Sequence, residues 1–105
     1  TRLRMTRNAG VMMVKKGDFE AAISPLEQAM YLADEPDTTT LGLLALSKLN
    51  RGDLKASAYY YRQAIEVDPT VGDWQIGLAK ALLYSNEYEE AIEVLERYKT
   101  LPPKG

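Results

Sequence analysis

Apolar residues recur every three or four positions from one end of the chain to the other, as in Leu41, Leu44, Ala45 and Leu49. That spacing places them on one face of an α-helix, and no stretch keeps the strict alternation of a half-buried strand. An all-α fold follows. Turn signals at Lys16-Gly17-Asp18, Asp34-Glu35-Pro36-Asp37, Asn50-Arg51-Gly52-Asp53, Asp68-Pro69-Thr70 and Ser85-Asn86-Glu87 divide the chain. They predict six helices, at about 3–16, 19–33, 38–50, 54–67, 71–84 and 88–99. Pro25 falls inside the second, where it lacks an N–H and crowds the carbonyl of Ala21, so a bend is expected there. The closing Leu101-Pro102-Pro103-Lys104-Gly105 cannot continue a helix and is expected to be irregular.

One pattern occurs at three of the joints: a turn residue and an acid, a large apolar residue, a small residue three places on, then an apolar stripe. It reads Gly17-Asp18-Phe19-Glu20-Ala21-Ala22-Ile23, Gly52-Asp53-Leu54-Lys55-Ala56-Ser57-Ala58 and Asn86-Glu87-Tyr88-Glu89-Glu90-Ala91-Ile92, with starts 35 and then 34 residues apart. A period in that range means stacked repeats whose apolar faces only their neighbours can bury. Glycine and asparagine suit the left-handed residue that ends a helix, and the acid after them can cap the next one.

Composition narrows the chemistry. The 105 residues are 46% hydrophobic and 27% charged, within the range of one ordinary globular domain. No apolar run approaches the ~18 residues that span a bilayer, so no direct membrane insertion is expected. The chain starts at Thr1 rather than at methionine, so a fragment of a longer chain is expected, with any signal or anchor outside it. There is no cysteine and no histidine. Cys-His and Ser-His-Asp catalysis are therefore excluded, and no cofactor or metal site is indicated. Cysteine absence suits cytoplasm and periplasm alike and leaves the compartment open. A net charge of -2 argues against nucleic acid as a partner. Its distribution is uneven: residues 1–16 hold Arg2, Arg4, Arg7, Lys15 and Lys16 and no acid, whereas 17–37 hold six acids and no base. Opposite charge on two antiparallel helices, or a basic rim for an acidic peptide, would each give that pattern.

Aligned on their turns, the segments resemble the tetratricopeptide repeat, a helix-turn-helix unit of about 34 residues. The repeats would run 3–36, 38–71 and 72–105. Ala9, Gly10 and Met13 with Phe19, Ala22, Leu26 and Ala29 carry the likeness in the first. Leu41, Leu44, Ala45, Leu54, Ser57, Tyr61 and Ala64 carry it in the second, and Leu78, Ala79, Leu82, Tyr88, Ala91, Leu95, Tyr98 and Pro103 in the third. Small residues such as Gly10, Ala45 and Ala79 would let paired helices approach closely. Thr6, Leu41 and Gln75 replace the aromatic often found early in the first helix, although Trp74 stands one place before Gln75. Tyr98 stands where a small residue is usual.

The resemblance implies a right-handed α-solenoid, a single domain that binds a protein or peptide partner as a scaffold or adaptor rather than acting as an enzyme. Many such modules serve bacterial assembly and secretion systems. Family members hold an extended peptide or a helix in the concave groove lined by the first helix of each repeat. By register the groove would present Arg4, Arg7, Val11 and Val14, then Thr39, Gly42, Leu46 and Leu49, then Asp73, Ile76, Lys80 and Leu83. Arg4, Arg7, Val11, Leu46, Ile76 and Lys80 are the partner-binding candidates; Val14, Leu49 and Leu83 equally fit packing between helices. The surface would suit an apolar or amphipathic segment with an acidic end. A two-carboxylate clamp of the kind that holds heat-shock chaperone C-termini would fall on Arg7, Val11, Leu43, Asp73 and Gly77. One base in five positions, with an acid at Asp73, excludes it.

Three further features bear on function. Tyr59, Tyr60 and Tyr61 point in three directions, with Tyr61 in the core register and Tyr59 the most exposed. Glu87, Glu89, Glu90, Glu93 and Glu96 read as a solvated helix start favoured by the helix dipole, leaving a carboxylate-only enzyme a remote alternative. The last helix is expected to leave Val94, Tyr98 and Leu101 uncovered, which would favour self-association into a homo-oligomer or a continuation of the array beyond this sequence.

Overall fold

The structure, a computed structural model, describes residues 1–35 and 37–102. Six helices occupy it: α1 (Arg2–Lys15), α2 (Phe19–Leu32), α3 (Thr38–Arg51), α4 (Leu54–Val67), α5 (Gly72–Tyr84) and α6 (Tyr88–Lys99). Each begins and ends within a residue or so of the expected bounds, and no strand is present among the described residues. Pro25 does not interrupt α2. Leu101 and Pro102 leave the helical path, while Pro36 and Pro103, at the expected ends of the first and third repeats, lie outside the described residues.

The three joints share one geometry because they share one chemistry. Gly17, Gly52 and Asn86 have φ of 80°, 91° and 64°. At each, the turn residue's N–H and the next residue's N–H fold back onto the last turn: Asp18 N donates to Met13 O, Asp53 N to Lys48 O and Glu87 N to Leu82 O at 2.8–2.9 Å. These are Schellman closures, which satisfy carbonyls that the helix leaves open. The expected acidic caps are less uniform. Asp18 accepts from Ala21 N at 3.2 Å, whereas the Asp53 and Glu87 side chains make no capping bond.

Consecutive helices pack pairwise along the chain. Beyond that, α1 touches α3 and α3 touches α5, while no comparable contact joins α2 to α4 or α4 to α6. The odd-numbered helices therefore lie on the inside of a curve and the even-numbered ones are splayed outside. Two apolar clusters fill the interior: Ala22, Ile23, Leu26 and Leu44 toward the N-terminus, and a larger one around Tyr61, Trp74, Leu78, Ala79, Leu82 and Val94. A methyl group at Gly10 would run into Leu26, 2.6 Å away, so the closest approach of α1 to α2 depends on that glycine.

Val94 corrects one expectation. It lies on the inward side of α6, one turn from Ala91, and is fully buried in the second cluster, so it offers no surface for self-association. Tyr98 is partly exposed and turns toward α5, where a Cβ at Gly72 would sit 2.9 Å from its ring. The large residue at the usual small position is thus matched by an absent side chain opposite it.

Candidate functional site on the concave face

Inside the curve, α3 and α5 bound a cleft of about 290 Å³. Leu43, Leu46 and Leu49 line it from α3, and Asp73, Ile76 and Lys80 from α5. Its floor is aromatic. Trp74 is buried against α3 because Gly42 has no side chain; a Cβ there would overlap the indole. The Trp74 Nε1–H donates to Thr38 Oγ1 at 2.9 Å, and the Thr38 hydroxyl donates to the Ala64 carbonyl at 2.8 Å. Tyr61 lies beneath Gly77, which likewise has no room for a Cβ, with its ring centroid 6.3 Å from that of Trp74. Burial pushes the Tyr61 phenol well above its ordinary pKa, and the nearby Asp73 carboxylate adds to the effect.

Of the six partner-binding candidates, the structure brings Leu46, Ile76 and Lys80 together in this cleft. Arg4 and Val11 lie on α1, outside its walls. Arg7 is already engaged: its Nη1 meets Asp37 Oδ2 at 2.7 Å, while Asp37 Oδ1 accepts from Thr40 N at 2.6 Å and caps α3. Partial burial pushes the Asp37 carboxyl up, but the Thr40 N–H and the Arg7 guanidinium outweigh it and hold the group below its usual range. Arg7 thus fastens the first repeat to the second. Gly42, expected in the groove, is covered by Trp74, and Leu83 is exposed rather than packed between helices. Val14 packs on the first cluster.

Leu43, Tyr61, Trp74 and Gly77 were not among the expected groove residues. The signal for them was the pairing of a displaced aromatic at Trp74 with glycines at both neighbouring small positions. Among the remaining features, Tyr61 is buried, Tyr60 half-buried and Tyr59 exposed, in the order expected. Glu90 of the acidic run pairs with Arg62 at 2.7 Å across the outer face. No group of three or more acids among the described residues is arranged to hold a metal ion, and no helix among them is long and apolar enough to cross a membrane.

An array of stacked antiparallel hairpins with a hollow on its inner side defines an α-solenoid. A model of the tetratricopeptide repeat family matches residues 48–103, more than half of the chain, and the protein belongs to that family. No curated protein matches it in sequence. Among solved structures, the second tetratricopeptide domain of Spaghetti (RPAP3), bound to the HSP90 peptide SRMEEVD, superposes with a TM-score of 0.87 over 97% of this chain and 88% of that one, at 20% identity. A mutant of MamA gives a TM-score of 0.89 over 97% and 74%, at 16% identity. The TPR2B domain of yeast Sti1 in complex with an Hsp70 peptide gives 0.85 over 94% and 78%, at 23% identity. At these identities the likeness is one of fold.

Proposed function

We propose that this protein is an adaptor whose cleft between α3 and α5 receives an apolar or amphipathic segment of a partner protein. The family is one of protein-interaction scaffolds, and the structural neighbours include peptide complexes. The observation that carries the finer reading is the Trp74–Tyr61 floor, locked by Thr38 and two glycines and walled by Leu46 and Ile76. A rigid apolar slot lets a ligand side chain bind without first ordering its receptor. Lys80 at the rim suits an acidic residue beside the apolar anchor. Asp73 on the same wall, and an Arg7 occupied by Asp37, oppose a ligand that presents two carboxylates at its terminus.

Selection from a displayed peptide library on the 105-residue chain tests this. The expected ligands carry an apolar anchor with a nearby acid, and Leu46→Asp should weaken them at least about tenfold, the scale of one lost interface anchor, with unchanged circular dichroism. Ligands that end in paired acids and bind Leu46→Asp as well as the parent would overturn the reading.

A further inference from the structure

The repeat register shows which surfaces an inner junction covers and which the two ends leave open. At the inner junctions α2 is covered by α3 and α4 by α5, so that Ile23 and Ala58 are 6% and 7% exposed; their equivalent on α6, Ile92, is 57% exposed, with exposed Tyr88 one turn before it. The opposite end shows the complementary half. Ser47 of α3 and Ala81 of α5 are fully buried in those junctions, whereas their equivalent on α1, Met12, is 57% exposed, and Met5 is exposed where Thr40 and Trp74 are buried. Among the described residues no helix lies on this face of α6 or on this face of α1.

Charge favours joining these two surfaces. In the first inner junction Arg51, at the end of α3, faces Glu20, at the start of α2, at 3.7 Å. The equivalents of these residues at the molecule's ends are Lys16 and Glu89, again a base after an odd-numbered helix and an acid at the start of an even-numbered one. Glu87 and Glu93 accompany Glu89, and Lys15 accompanies Lys16, while α1 holds no acid. Arg97 and Lys99, in the last turn of α6, would lie toward Arg2, so the attraction is concentrated at the Lys16–Glu89 end. We propose that a second copy of this chain docks its α1 on α6 of the first, head to tail, in the register of the inner junctions. Such a contact uses different surfaces on its two sides and leaves one of each free, so it propagates rather than closing at a dimer. It does not depend on the cleft or its ligand.

Sedimentation of the 105-residue chain over a range of concentrations tests the proposal. The expected result is a mass that climbs past the dimer with concentration and falls when salt is raised, because the ion pairs are exposed. Met12→Glu and Ile92→Asp change exposed residues at opposite ends, and each variant alone should be monomeric. Their equimolar mixture retains one intact α1 surface and one intact α6 surface, and should give a one-to-one dimer and nothing larger. By contrast, Lys16→Glu and Glu89→Lys should each weaken assembly several-fold alone, and their equimolar mixture should assemble at the parent's level, because one mixed junction carries the parental pair and the other the same pair reversed. A parent chain that stays monomeric at every concentration would overturn the proposal and leave both faces to other helices. So would assembly of Met12→Glu at the parent's level, which would mean that α6 pairs with itself.

Discussion

The two junctions between repeats occupy the same register and are built from different materials. Between α2 and α3 the contact is aliphatic, with Ile23, Leu26 and Leu44 inside and the Lys48–Glu27 and Arg51–Glu20 pairs outside at 3.8 and 3.7 Å. Between the second and third repeats it is aromatic set into glycine, with Tyr61 of α4 under Gly77 of α5 and Trp74 of α5 over Gly42 of α3. Aliphatic side chains of similar size interdigitate and leave a flat seam. Large rings against absent side chains sink one helix surface into the other and hollow the space beside it. The first junction therefore joins two repeats, whereas the second also shapes the cleft.

The strongest way to erase this distinction is to truncate one residue in each junction. Trp74→Ala and Leu26→Ala should both destabilise the fold, by about 3–5 and about 2–5 kcal/mol, measured by urea unfolding. Only Trp74→Ala should also abolish capture of cleft ligands under conditions where both variants remain folded. Equal loss of binding in the two would dissolve the contrast. A smaller perturbation is Gly77→Ala, whose methyl group meets the Tyr61 ring. Overpacking of that kind costs about 1–3 kcal/mol and should also narrow the cleft. Tyr61→Phe on that background should give no relief, because the ring carbons overlap the methyl as well as the hydroxyl does.

The smallest effect concerns pH. Asp37 ties α1 to α3 and its folded pKa is lowered, so it binds its proton less readily folded than unfolded. Its contribution is therefore complete above the unfolded value near ~4 and is lost as pH falls through the folded one. Thermal unfolding of the parent and of Asp37→Asn should differ most at neutral pH, by less than about 1 kcal/mol for the lost charge on a half-exposed Arg7 pair, since asparagine still caps α3, and should converge in acid. A gap that persists at strongly acidic pH would assign the cost to something other than the carboxylate.

Most of the architecture was legible in the residues because each joint states its geometry locally: Gly17, Gly52 and Asn86 announce a left-handed turn wherever they fall. The small residues at Gly10, Ala45 and Ala79 were legible for the same reason, as they recur at the repeat interval. The site was only half legible. Leu46, Ile76 and Lys80 meet in the cleft as helical register alone would bring them, but the engagement of Arg7 was not legible, because its partner Asp37 lies thirty residues away and itself caps a helix. Trp74 looked like an aromatic one step out of place. Its meaning required the knowledge that Gly42 and Gly77 leave room across the junction. Val94 was assigned to an open surface by its nearness to the end of the chain, although its position one turn from Ala91 puts it inward.

The uneven contact between odd and even helices has a mechanical consequence. Along the inner side α1, α3 and α5 abut, so further closing of the curve would compress packed side chains. Along the outer side between α4 and α6 the described link is the exposed Arg62–Glu90 pair, which yields easily. The array should thus give way more readily on its outer side, between α4 and α6, than where α1 meets α3 on its inner one.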